Sequence, residues 1–305
     1  MSWDKHFKDF EYFLRLEKSL SENSIEAYIH DIRKLHEYLL MNNLSLEVGQ
    51  VEYAHITEFI YWLNIMGIAA SSQARILSGI KAFFKFLELD EHIAQDPSLL
   101  VESPRLGRKL PDVLSIKEID EIINALDLSK NEGQRNRAML ETLYSCGLRV
   151  SELVSLKVTN LYFNEGYIRV IGKGDKERLV PISNKAVKEI GIYIQTYRNH
   201  IEIKKDSTDI LFLNRRGGKL TRVMIFTIIK NTVEACGIKK TVSPHTFRHS
   251  FATHLVDGGA DLRAVQEMLG HESITTTEIY THLDKRHLVE AINKYHPRSN
   301  RNRSN

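Results

Sequence analysis

"SPHTFRHSFATHLVDGG", residues 243–259, sets His245, Arg248, His249 and His254 on one helix among apolar side chains. Ser243 is a capping residue, Pro244 suits a first helical turn, and Gly258 and Gly259 mark the end. Phe247, Phe251 and Leu255 recur at i, i+4 and i+8, which predicts the buried stripe. His245 and Arg248 are three apart, so they share a neighbouring face and can meet one small ligand. Unpaired backbone N–H groups and the helix dipole favour an anion in that first turn, and the planar guanidinium suits phosphate. Two other readings stay open for this stretch. His245 and His249 have the i, i+4 spacing of a zinc pair, but HExxH needs a Glu where Thr246 stands, and a neighbouring arginine repels a divalent ion. The histidines can also be satisfied inside a polar core, a reading that suits His249 and His254 better than His245.

The chain has 305 residues, 42% apolar and 27% charged, enough for two globular domains. The longest apolar run, "FIYWLNIMGIAA" (59–70), is broken by Asn64 and is too short to span a bilayer. "MSWDKHFKDFEYF" at the start lacks the apolar core of a signal peptide. Cys146 and Cys236 give neither a disulfide framework nor a CxxC knuckle, so the expected compartment is the reducing cytoplasm, without membrane insertion. Charge is divided unevenly. Residues 1–100 hold 9 Lys/Arg against 15 Asp/Glu, and the remainder 33 against 24. A basic C-terminal part points to a polyanion.

Helical spacing of Ile25, Tyr28, Ile29, Ile32, Leu35 and Leu39 predicts a helix capped by Ser21 or Asn23. "ITEFIYWLNIMG" predicts another, closed by Gly67, and "SSQARILSGIKAFFKFLELD" a third, capped by Ser71 or Ser72. Residues 1–100 therefore read as a bundle of about four helices, with Phe83, Phe84 and Phe86 in its core. "VESPRLGRKLP" (101–111) reads as a linker whose bases, Arg105, Arg108 and Lys109, can track a phosphate backbone. A second domain, 112–305, opens with Ser115 and Glu118 as a capping box. A helix stopped by Gly147 follows, then Arg149 just past that break and Glu152 within one turn of it. "GYIRVIGKGDKERLVPI" predicts a hairpin with Lys173 at its tip. "DLRAVQEMLG" predicts a helix from Asp261 to Gly270, with His271 next and Tyr280 nine residues on. "DKRHLVEAINKY" is amphipathic through Leu288, Ile292 and Tyr295, and "HPRSNRNRSN" has the composition of a disordered tail.

The set Arg149, Lys173, His245-x-x-Arg248, Gly270-His271 and Tyr280 resembles the active-site signature of the tyrosine recombinases, the phage-integrase family. "HTFRHSFATHL" and "VQEMLGHESITTTEIYTH" make the match specific. "LSENSIEAYIHDIRKL" resembles the first helices of the Xer subgroup, with Ser24 in place of the usual Thr. The resemblance covers nearly the whole chain. It implies a mainly α, two-domain DNA clamp: a four-helix core-binding (SAM-like) domain, and an α+β catalytic domain with a small antiparallel sheet and a C-terminal helix exchanged between protomers. The acidic N-terminal domain must then meet DNA through a local face, for which Arg75, Lys81 and Lys85 are the candidates.

The implied reaction needs no metal, nucleotide or other cofactor. Tyr280 attacks a backbone phosphate, a 3′-phosphotyrosyl bond forms and the 5′-hydroxyl leaves; another strand's 5′-hydroxyl reverses the step. Arg149 and Arg248 hold the non-bridging oxygens where charge builds up. A phenol with a reference pKa of about 10 needs help at neutral pH, and His245 is placed to take its proton. The resemblance makes Lys173 the general acid and His271 a further donor to the phosphate, with Glu152 orienting Arg149 or His245. The implied partners are a double-stranded recombination site, a tetramer on two duplexes, a paralogous recombinase and a septal DNA translocase, in the resolution of chromosome dimers at cell division. An integrase of a phage or conjugative element, a type IB topoisomerase and a non-catalytic DNA-binding protein are the alternatives. The short chain, the Xer-like first helices and the complete residue set stand against them in turn.

Overall fold

The computed structural model describes residues 2–105, 112–130, 132–172, 175–270 and 286–299. Two compact units form, Met1–Lys109 and Leu110–Asn305. The division lies within the stretch expected as a linker. Val101 is nonetheless 4% exposed and packs into the first unit's core, so that unit runs past residue 100.

The first unit holds four helices, α1 (Trp3–Leu16), α2 (Glu22–Met41), α3 (Tyr53–Ile65) and α4 (Ala70–Leu89). Ile25, Ile29, Ile32, Leu35 and Leu39 are all buried, as their spacing requires. Phe83, Phe84 and Phe86 are core residues, with Phe83 edge-on to Phe10 at a centroid distance of 5.4 Å. Chain reversal after α3 uses Gly67 at φ +73°. One cap differs from expectation. Helix α4 starts with Ala69 in the capping position, and Ser71 and Ser72 lie within its first turn. Buried Gln73 donates from Nε2 to the Ile68 carbonyl at 2.6 Å, so a side chain one turn in holds the start of the helix. Helix α4 approaches α2 closely at Gly79, where a Cβ would lie 3.1 Å from Asp31 Cβ.

The second unit contains α5 (Ile116–Asn124), α6 (Gly133–Cys146), the short α7 (Val150–Val154), α8 (Asn184–Thr196), α9 (Arg222–Ala235), α10 (Pro244–Asp257), α11 (Leu262–Leu269) and α12 (Arg286–Tyr295). The Ser115–Glu118 capping box forms on α5, with Ser115 N–H donating to Glu118 Oε2 at 2.7 Å. The strands β1 (Leu161–Tyr162), β2 (Tyr167–Ile171) and β3 (Glu177–Pro181) make an antiparallel sheet in that order. Ile171 pairs with Glu177, so residues 172–176 join the paired strands as a hairpin connection. Helix α6 is central, with every residue from Ala138 to Cys146 buried. It stops at Gly147, φ +56°, where a Cβ would lie 2.4 Å from the Phe251 ring. Two demands meet at that glycine: the left-handed turn that ends α6, and the seat of the α10 stripe Phe247, Phe251 and Leu255, each 0% exposed.

The C-terminal segment departs from the sequence expectation. Helix α12 packs Leu288 and Ile292, each 1% exposed, into the core of its own unit. Residues 296–299, the described part of the expected tail, pack against that core, and 300–305 lie outside the described residues. His296 is 2% exposed and Arg298 7%. Arg298 Nε donates to Glu141 Oε2 at 2.9 Å, its Nη1 donates to Asp120 Oδ1, and its guanidinium lies over the Tyr144 ring. Composition marked the segment as polar; a buried carboxylate, Glu141 at 0% exposure, is what recruits it. Burial first, then the charges of Arg298 and His254, pulls His296 down to about 3, so it sits neutral in this packing.

His254 supports the fold as expected, with its Nδ1 2.8 Å from the Tyr144 hydroxyl. His249 is exposed and is no part of that core, because its position on α10 faces away from the Phe247 stripe. Among the described residues, no helix is long and apolar enough to cross a membrane.

Candidate active site

Helix α11 creates the site through its end. The last carbonyls of a helix have no intrahelical partner and carry the negative end of its dipole. Gly270, at φ +67°, caps α11 and turns the chain away, which leaves those carbonyls open. Three arginines from three different elements take three consecutive carbonyls. Arg178 on β3 donates from Nε to Met268 O at 3.0 Å. Arg248 on α10 donates from Nη2 to Leu269 O at 2.6 Å. Arg149, in the capping position of α7, donates from Nη2 to Gly270 O at 3.2 Å.

Glu152 locks two of these guanidiniums from the other side. Its side chain is 2% exposed. Arg178 grips it bidentately, Nη1 to Oε1 at 2.6 Å and Nη2 to Oε2 at 2.9 Å. Arg149 donates to it from Nη1 at 2.9 Å and from its backbone N–H at 2.8 Å. Burial alone would push the Glu152 carboxyl up, but the hydrogen bonds and charge of Arg178, with those of Arg149, hold it below the ordinary carboxylate value. Both carboxylate oxygens are taken by arginines, so Glu152 orients Arg149 and Arg178, not His245.

Arg248 has a second anchor, Nη1 to the Gly147 carbonyl at 2.7 Å. The glycine that ends α6 thus also fixes an arginine of α10. Burial, and next repulsion from Arg149, pull the Arg248 guanidinium down to about 10. It remains a cation at neutral pH, but one whose charge its surroundings leave under-compensated. Two guanidiniums share the Glu152 carboxylate and the third stands beside them on backbone carbonyls, so among the described residues the excess is positive.

His245 lies one turn before Arg248, in the first turn of α10, and is exposed. The Ser243–Thr246 capping box fixes that turn, with Ser243 N–H donating to Thr246 Oγ1 at 3.1 Å. Arg149, Glu152 and Arg248 are therefore brought together, with His245 on the adjoining turn. Lys173, His271 and Tyr280 lie outside the described residues.

Arg178 was missed in the sequence, although a signal exists. It pairs with Val170, and its neighbour two residues on, Val180, pairs with Ile168. Val170, Val180 and Ile168 are all core residues. An arginine at a core-facing period-2 position is a buried cation in search of an acid. Gly270 belongs to the same feature, since a Cβ there would lie 3.0 Å from Arg178 Cδ.

The DNA-contact candidates of the first unit are differently engaged. Arg75 pairs with Asp31, a carboxylate 2% exposed, through Nη2 to Oδ1 at 2.8 Å. Lys85 meets Glu88 at 2.7 Å, and Lys81 Nζ lies 3.4 Å from the Leu99 carbonyl. Lys81 and Lys85 share a face of α4, but six residues at about 100° each put Arg75 about 120° away from Lys81. The three do not form one stripe. Arg105 is exposed, and Arg108 and Lys109 lie outside the described residues.

Comparison with known proteins follows the same lines. The phage integrase family matches residues 112–287, and the phage integrase N-terminal SAM-like domain matches residues 7–91. Tyrosine recombinase XerD of Staphylococcus aureus is 44% identical over 287 residues, covering 94% of this chain and 97% of that protein. Tyrosine recombinase XerD of Staphylococcus saprophyticus is 41% identical over 296 residues, 97% of this chain and all of that one. Among solved structures, the XerH recombinase bound to difH substrate before cleavage matches with a TM-score of 0.67 at 25% identity, over 93% of this chain and 82% of that one. A lambda integrase dimer bound to a core site shares the fold alone, with a TM-score of 0.69 at 16% identity over 92% of this chain and all of that one.

Proposed function

Since this chain belongs to the phage integrase family, as a tyrosine recombinase of the Xer subgroup, we propose a residue-level mechanism for its site-specific DNA recombination. The arginine cluster at the end of α11 receives one scissile phosphate. Arg149 and Arg248 contact its non-bridging oxygens, and Arg178 holds Glu152 so that Arg149 is presented in one orientation. The observation that supports this reading is the charge balance among the described residues: three guanidiniums on three adjacent carbonyls, two of them sharing the Glu152 carboxylate and the third held by backbone carbonyls alone. A phosphodiester supplies the missing anion, and the charge that builds on it in the transition state strengthens the same bonds.

Tyr280 supplies the nucleophilic oxygen and the bond it forms to phosphorus replaces the bond to the 5′-oxygen. His245, exposed beside the cluster, takes the phenol proton. Lys173, in the β2–β3 connection, gives a proton to the leaving 5′-oxygen, and His271 donates to a phosphate oxygen. The phosphodiester's energy is retained in the phosphotyrosine, so rejoining needs no nucleotide.

The biological task is resolution of chromosome dimers in the cytoplasm at cell division, by a tetramer on two duplexes with a paralogous recombinase and a septal DNA translocase. The first unit is the core-binding domain and the second the catalytic domain. Helix α12 packs on its own unit here, so exchange between protomers requires Leu288, Ile292 and Arg298 to leave their seats.

The test is a nicked suicide substrate incubated with the full chain in EDTA. Wild type should give a covalent protein–DNA adduct on a denaturing gel, and Tyr280→Phe none. If wild type bound the site yet gave no adduct even with its paralogue added, the catalytic assignment would be wrong.

A further inference from the structure

In the first unit, far in sequence from the arginine cluster of the second, lies another cluster of polar side chains. Helix α1 carries His6 and Asp9 one turn apart. His92 reaches them from the chain that follows α4. That chain turns through Glu91, a non-glycine residue at φ +56°, and the His92 N–H donates to the Leu87 carbonyl at 2.9 Å. This turn seats the His92 ring against His6, edge to face at a centroid distance of 4.9 Å.

One ligand-type atom from each of His6, Asp9 and His92 lies within 4.8 Å of the other two. His6 is 5% exposed, and its Nδ1 is buried without a hydrogen-bond partner. A buried ring nitrogen left unsatisfied costs free energy, and a metal ion removes that cost. His92 Nε2 lies 2.9 Å from Asp90 Oδ2, which is the carboxylate–histidine pairing that orients a metal-binding imidazole. We propose that His6, Asp9 and His92 bind a zinc-class divalent cation, with Asp90 orienting His92, and that the ion clips the start of α1 to the end of α4.

Two imidazoles and a carboxylate are a common donor set for zinc, with a fourth position open to water. Bonds of about 2.0–2.2 Å put tetrahedral ligand atoms about 3.4 Å apart, so the cluster must contract. The side chains able to move are on the outside: His92 is 24% exposed and Asp9 is half-buried. His6 is held in place by the core around it. The clip joins segments more than eighty residues apart, so it stabilises the helical bundle and takes no part in phosphate chemistry.

The experiment is a titration of the full, metal-free chain with Co²⁺ and then Zn²⁺, read by d–d absorption and calorimetry, with thermal unfolding in parallel. The expected result is one saturable site, tetrahedral or five-coordinate, that zinc displaces cobalt from and that raises the Tm. His92→Ala and Asp9→Asn should each weaken affinity at least about tenfold, and Asp90→Asn by about 10- to 100-fold. These positions are used because His6 is a packed core residue, and its replacement by Ala would test packing along with metal binding. Absence of saturable binding would overturn the proposal. So would binding that survives His92→Ala and Asp9→Asn and disappears in the double variant His245→Ala, His249→Ala, since the ion would then belong to the second unit.

Discussion

The second unit builds two buried arginine–carboxylate networks from the same parts, and they differ in their balance. In one, Glu141 and Asp120 face Arg298 and Lys185, with Lys185 Nζ 2.9 Å from Glu141 Oε1. Two acids meet two bases, so the charges balance. In the other, Glu152 faces Arg149 and Arg178, with Arg248 beside them. Among the described residues one acid meets three bases, the balance that the proposed phosphate site requires. Full compensation marks a structural lock. Incomplete compensation, maintained by backbone carbonyls that hold the cations without neutralising them, marks a site waiting for its substrate.

That contrast can be broken by experiment. The largest effect should come from Arg298→Ala, which strips a buried carboxylate of its main partner. We expect a loss of about 3–5 kcal/mol in urea unfolding, because an uncompensated buried charge remains. A near-neutral result would mean that Lys185 alone satisfies Glu141, and the closed network would lose its structural meaning. Arg248→Ala should behave in the opposite way. Stability should change little, since a poorly compensated cation is removed, while the rate of adduct formation falls by on the order of 10²–10³. If unfolding suffered and cleavage did not, the two networks would have exchanged roles.

The pH dependence of unfolding sharpens the comparison further. His296 is drawn down to about 3 in the folded chain, so below the unfolded value of about 6.5 the unfolded state binds the extra proton. Its contribution is therefore complete above about pH 6.5 and lost as pH falls toward 3, at a slope of roughly 1.4 kcal/mol per pH unit. His296→Gln should flatten that slope without altering adduct formation at neutral pH. The smallest effect is expected from Arg178→Lys. Lysine keeps the charge but loses the bidentate grip on Glu152, and single-turnover cleavage should slow by about tenfold, with DNA affinity nearly unchanged. An equal loss in Arg178→Ala and Arg178→Lys would show that geometry, not charge, is what Arg178 provides.

Much of this was legible in the sequence where it depends on local rules. Capping residues and glycines fixed the limits of α5, α6, α10 and α11. The period of 3.6 marked the buried stripe of α10, and alternation marked the β2–β3 hairpin. The motif residues Arg149, Glu152, His245 and Arg248 could be named because together they resemble the active-site signature of the family. Where local rules did not reach, the reading failed. The Ser71/Ser72 cap was displaced by a side chain, Gln73, that bonds backward across the turn. Residues 296–299 were read as part of a disordered tail because the partners of Arg298, Asp120 and Glu141, lie more than 150 residues earlier. For the proposed DNA face, Lys81 and Lys85 stay together on α4 while Arg75 is turned toward the buried Asp31.

The sequence by itself determined most helix limits, since these rest on spacing within a single segment, and it carried the family and the candidate catalytic residues through a resemblance that spans the chain. Tertiary structure alone decided that three arginines from α7, β3 and α10 converge on the last carbonyls of α11, that Arg178 belongs with them, and that Arg298 closes a separate lock. The physical reason is that a buried charge is specified by its partners. Those partners come from distant segments, and only the folded chain brings them within hydrogen-bonding distance.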